Sequence, residues 1–204
     1  MQTSLSRVGD RRITVYGRGF FAFLCGAAII GVLLGTMCFC LNTKAADSIM
    51  LFGGELQSRM SMEHGKLMAG AFLGSTVFLL GIGLTGFCAV GQPFELALLV
   101  LRGMGLGYSM AQLYAQAGRE SAIYAAGLLL PGAVISTLGL IAAAREAVCL
   151  SNIYLRITLS DRQEQGLAEA VKLYGAKLLV IEAVLALAAG ADTICNYLFI
   201  EKLI

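Results

Sequence analysis

Phe20–Leu41 reads FFAFLCGAAIIGVLLGTMCFCL, a run with no charged residue anywhere in it. As a helix rising 1.5 Å per residue it extends about 33 Å, enough to cross the roughly 30 Å hydrocarbon layer of a bilayer. Four further stretches share that length and character: Leu67–Val90, Phe94–Tyr114, Ile123–Ala143 and Leu178–Ile200. A chain of 204 residues cannot bury five such segments in one water-soluble core. The expected fold is an all-α, polytopic membrane bundle of about five transmembrane helices, forming one domain over residues 1–204.

Composition agrees. Apolar residues make up 58% and charged residues 14%, against about 25% charged in ordinary soluble domains. Mean hydropathy is +0.79. The charges gather in residues 1–19, 42–66 and 145–177, which are therefore expected outside the hydrocarbon. A net charge of +2 with no basic, aromatic-interleaved patch argues against nucleic acid as a partner and leaves membrane lipid.

Orientation follows from Lys and Arg near the span ends. With the N-terminus inside, Arg7, Arg11, Arg12 and Arg18 join Arg145, Arg156, Arg162, Lys172 and Lys177 on the cytoplasmic face. Lys44, Arg59, Lys66, Arg119 and Lys202 lie outside. The bias favours N-in and C-out, with residues 1–19 cytoplasmic. The apolar run after Arg18 is too long for a cleaved signal and lacks a small-residue cleavage site.

The connections Gly91–Pro93 and Gln116–Glu120 are short enough to make adjacent antiparallel hairpins of the second, third and fourth spans. Residues 145–177 are expected as a cytoplasmic amphipathic connection. In it Asp161 caps a helix through Glu164 and Leu167 to Leu173 that lies along the membrane surface. Pro93 suits the tight turn, and Pro131, near the middle of the fourth span, is expected to bend it.

Gly81-Ile-Gly83-Leu-Thr-Gly86 spells a dinucleotide-binding fingerprint, but that fingerprint needs a preceding strand and an aqueous loop. Inside an apolar span the glycines serve packing instead. The pairs Gly31/Gly35, Gly70/Gly74 and Gly103/Gly107 have the four-residue spacing that places both on one helix face and lets a second helix approach. The second helix belongs either to the same chain or to another copy of it.

Arg102 and Glu182 are the costly residues, at about 2.5–3.5 kcal/mol each if left alone in hydrocarbon. Their expected depths, about 12 Å and 6–9 Å from the inner surface, suggest an intramembrane ion pair between the third and fifth spans, with Glu95 as rival partner. Asp192, Ser109, Gln112 and Gln116 make only a thin polar path. The six cysteines form no C-x-x-C, and His64 is the single histidine, so no metal or cofactor is expected. No nucleophile–base arrangement is visible either, so no catalytic residue is expected.

The run Gly91-Gln-Pro93-Phe-Glu-Leu-Ala-Leu-Leu-Val-Leu-Arg102-Gly103-Met104-Gly-Leu-Gly107-Tyr-Ser resembles the central block of the stage II sporulation protein M family. Leu128-Leu-Leu-Pro131-Gly-Ala-Val-Ile-Ser, followed by aliphatic residues and Ala142-Ala143-Ala144, resembles that family's next span. Gly19–Gly35 is similar to its first. The resemblance runs over residues 18–160. It implies a non-catalytic membrane scaffold that recruits peptidoglycan-degrading partners, the sporulation proteins D and P, to the septum during engulfment. Docking would use the glycine-bearing faces or the segment Asn42–Lys66. The competing class is a transporter or export-system membrane subunit.

Overall fold

A computed structural model describes residues 17–41, 64–160 and 167–203, and all of its regular structure among them is helical. The described residues form four helices: α1 (Gly17–Cys40), α2 (His64–Thr85), α3 (Gln92–Ser160) and α4 (Leu167–Leu203). Five stretches within them are long and apolar enough to cross a membrane: Gly19–Cys40, Met68–Thr85, Gln92–Gln112, Pro131–Leu155 and Leu167–Cys195.

α3 supplies two of the five because it doubles back. Arg102 and Ser136 would lie about 51 Å apart on a straight helix, yet their side chains hydrogen-bond at 3.1 Å. Gln92 and Asn152 likewise touch at 2.9 Å. The two arms are therefore antiparallel, and the reversal falls between Gln112 and Pro131. The expected hairpin is present, but Gln116–Glu120 is helical, not a tight turn. Pro131 is exposed and lies inside the helix, on the second arm.

The other contacts set directions. Gly83 and Thr76 of α2 meet Tyr174 and Glu182 of α4, in reverse order. Gly132, Gly139 and Glu146 of the second arm meet Asp192, Leu185 and Lys177 of α4, again in reverse. α1 runs parallel to the first arm, since Gly31 faces Val100 and Gly35 faces Met104. Successive segments thus alternate in direction, as five consecutive crossings require.

Three span limits differ from the sequence reading. The second ends at Thr85, not Val90, because Gly86–Gly91 turns on local bonds from Phe87 to Leu84, Cys88 to Thr85 and Gly91 to Cys88. A side chain at Gly91 would strike the Thr85 carbonyl oxygen at 2.0 Å, so only glycine closes this corner. Gly91 then accepts the first bonds of α3 from Phe94 and Glu95, with Pro93 in the first helical turn, where its missing N–H costs nothing.

The fourth span continues to Leu155 and the fifth begins at Leu167, so most of the expected surface connection 145–177 belongs to the bundle. Its apolar face is the reason: Ala147, Val148, Leu150 and Tyr174 are buried in the core with Ala143 and Ala144. Leu167–Leu173 is continuous with the fifth span and is no separate surface helix. The Asp161 cap with Glu164, and Asn42–Glu63, lie outside the described residues.

The core centres on Leu24, Ile82, Leu99, Leu140 and Leu185. Large apolar side chains also face outward on every helix, among them Ile29, Leu33, Leu80, Leu138, Leu179 and Leu187. A surface this apolar suits lipid, where leucine outside is as well solvated as leucine inside.

Candidate functional site

The glycine pairs of α1 and α3 face one another. A Cβ on Gly31 would lie 2.3 Å from the Val100 carbonyl oxygen and one on Gly35 would lie 2.1 Å from that of Met104. In the opposite sense, a Cβ on Gly103 would meet Ala28 O at 2.4 Å and one on Gly107 would meet Val32 O at 2.1 Å. The two backbones touch directly, and any side chain at these four positions would push the helices apart. Phe39 and Tyr108 close one end of the seam edge to face, with centroids 5.4 Å apart. Gly70 and Gly74 differ: no described atom lies within 4 Å of a Cβ at either, so that stripe packs on nothing among the described residues.

The opposite side of α3 is polar. Arg102 donates to the Ser136 hydroxyl and its guanidinium lies 5.7 Å from the Phe78 ring centroid. Glu182 accepts from Thr76 at 2.7 Å, and its second carboxylate oxygen is buried without a hydrogen-bond partner. The expected Arg102–Glu182 ion pair is not what forms. Arg102 takes a hydroxyl from the second arm of its own helix and Glu182 one from α2, whose single Thr76 proton is shared with the Phe72 carbonyl one turn back.

Glu95, the rival partner, is fully buried, and neither carboxyl oxygen finds a hydrogen-bond donor. It lies one turn into α3, beside the Gly86–Gly91 corner. The hydroxyl donors of this corner are already engaged. Ser151 bonds Cys88 O at 2.8 Å, Tyr174 bonds Gly83 O at 3.2 Å, and Thr85 bonds Ile82 O at 2.9 Å. Gln92 is held by Asn152. Gly86 leaves room for the Tyr174 hydroxyl, which a Cβ would meet at 2.6 Å.

The site is thus rich in acceptors and poor in free hydroxyl donors. Burying an unpaired carboxyl costs stability, which marks Glu95, and to a lesser degree the half-satisfied Glu182, as positions where something other than packing is being served. Thr76 lies seven residues before Gly83 on α2, so the Glu182 carboxyl is about 10 Å along the bundle from the Tyr174 hydroxyl. Asp192 is one further step along, packed on Gly132. Among the described residues no three His, Cys, Asp or Glu side chains gather as metal ligands, and the cysteines are free thiols.

Sequence reasoning singled out Arg102, Glu182 and Glu95 but not Thr76, Ser136, Gln92, Asn152 or Tyr174, which build their surroundings. Adjacent hydroxyls in an apolar run, Ser75-Thr76 and Ser136-Thr137, were the available signal for Thr76 and Ser136. Compared with known proteins, the chain matches no family model, no curated protein and no solved structure.

Proposed function

We propose that this chain is a non-catalytic integral membrane scaffold of the stage II sporulation protein M type, lying N-in and C-out. In this reading it recruits and positions peptidoglycan-degrading partners, the sporulation proteins D and P, at the septum during engulfment. The observation that carries the scaffold reading is the backbone-to-backbone seam of α1 on α3. It makes a stiff frame out of residues that have no chemistry of their own. Gly70 and Gly74, an approach surface with no described neighbour, give a partner helix a place to dock. The resemblance of Gly91–Ser109 and Leu128–Ser136 to that family supplies the septal role and the partners.

The test is deletion of the gene in the spore-forming host, followed by electron microscopy of sporulating cells. Arrest with a thick, bulging septum is the expected outcome, together with co-isolation of peptidoglycan hydrolases with the tagged chain. Normal engulfment would overturn the septal role.

A second reading, a transporter or export-system subunit, draws on the buried carboxyls of Glu95 and Glu182. Reconstituted vesicles that dissipate a pH gradient, and stop doing so with Glu95→Gln, would favour it.

A further inference from the structure

Where α1 begins, a groove of about 340 Å³ opens between α1, the second arm of α3 and α4. Phe21, Ala142, Ala176, Val180 and Ile181 give it apolar walls, and Arg145, Glu146 and Lys177 give it polar ones. Lys177 and Glu146 pair with each other across the two helices, so their charges cancel. Arg145 has no hydrogen-bond or ion-pair partner among the described residues. The groove therefore presents one uncompensated guanidinium above an apolar floor. That floor runs on through Val180, 65% exposed, to the outward-facing Leu179.

We propose that this groove binds an anionic phospholipid, with its phosphate on Arg145 and the upper part of an acyl chain along Phe21, Val180 and Ile181. A guanidinium matches phosphate with two parallel hydrogen bonds, which a compact ammonium does not. A free phosphate would satisfy Arg145 but leave the apolar walls empty. The same end of the bundle is where the sequence places Arg7, Arg11, Arg12 and Arg18. Basic residues flanking a span favour the leaflet richest in anionic lipid. The site depends on the fold and not on the scaffold reading.

Native mass spectrometry of the intact chain tests this, with phosphatidylglycerol, phosphatidylcholine and glycerol 3-phosphate as probes. The wild-type chain should retain phosphatidylglycerol over phosphatidylcholine. Arg145→Gln should weaken that retention about five-fold, and Arg145→Lys should restore part of it. Lys172→Gln, exposed on α4 and outside the groove, should change nothing. Ala176→Phe fills the groove without touching the charge and should also expel the lipid, which covers the case of an Arg145 variant that fails to fold. Unaltered phosphatidylglycerol retention in Arg145→Gln or in Ala176→Phe would overturn the proposal. So would glycerol 3-phosphate competing at the lipid's own concentration, which would make the site one for free phosphate.

Discussion

α3 meets its neighbours along two seams built on opposite principles. Toward α1 it presents Gly103 and Gly107, and the helices close until backbone touches backbone. Toward α2, α4 and its own second arm it presents Glu95 and Arg102 among hydroxyls and amides. The first seam gains contact by having no side chain, as a bundle in lipid must when the hydrophobic effect does not distinguish inside from outside. The second keeps carboxyl oxygens buried without donors, an arrangement that stability alone would remove. One seam gains stability from backbone contact, and the other gives stability up to keep polar groups buried.

Substitutions that treat the two seams alike should give opposite signs. Gly103→Val drives a side chain into Ala28 and Gly31 backbone and should destabilise by about 3 kcal/mol or more in detergent unfolding titrations. A loss under about 1 kcal/mol would mean the helices are not in backbone contact. Glu95→Leu, similar in size and fully apolar, should stabilise by about 2 kcal/mol in the same assay, because a buried unpaired acid is replaced by packing. If it destabilises instead, Glu95 has a donor that packing at this corner conceals.

Within the polar seam the expected energies are smaller. A double-mutant cycle of Thr76→Val and Glu182→Gln should show coupling of about 1 kcal/mol, the worth of their hydrogen bond. Arg102→Ala and Glu182→Ala should add to within about 0.5 kcal/mol, since each has a separate partner; strong coupling would restore the ion pair. The smallest effect belongs to Gly74→Ala, which meets no described atom and should shift stability by less than about 1 kcal/mol. Its consequence is expected in co-isolation of partners, where a bulkier Gly70→Leu should weaken recovery.

Five crossings were legible in the sequence because apolar length alone sets them. Their limits at residues 145–177 were not. Arg145, Glu146, Lys172 and Lys177 read as the ends of spans, yet the neighbouring Ala147, Leu150 and Tyr174 form a continuous buried face. Average hydropathy cannot separate two faces of one helix. The motif spacing marked Gly31/Gly35 and Gly103/Gly107 as packing positions, but only tertiary geometry pairs the two with each other and leaves Gly70/Gly74 aside. The Arg102–Glu182 expectation failed for a related reason. Charge draws attention along a sequence, while the partners that decided the outcome, Ser136 and Thr76, are small hydroxyls whose role depends on which helix lies opposite.

Everything that places the polar seam depends on α3 folding back on itself. Spin labels at Leu101 and Leu138, both outward-facing, read that directly by pulsed electron resonance in a background with the native cysteines replaced. Antiparallel arms with axes 8–10 Å apart predict a label separation below about 25 Å. A separation near 55 Å, the length of 37 residues of straight helix, would contradict the account.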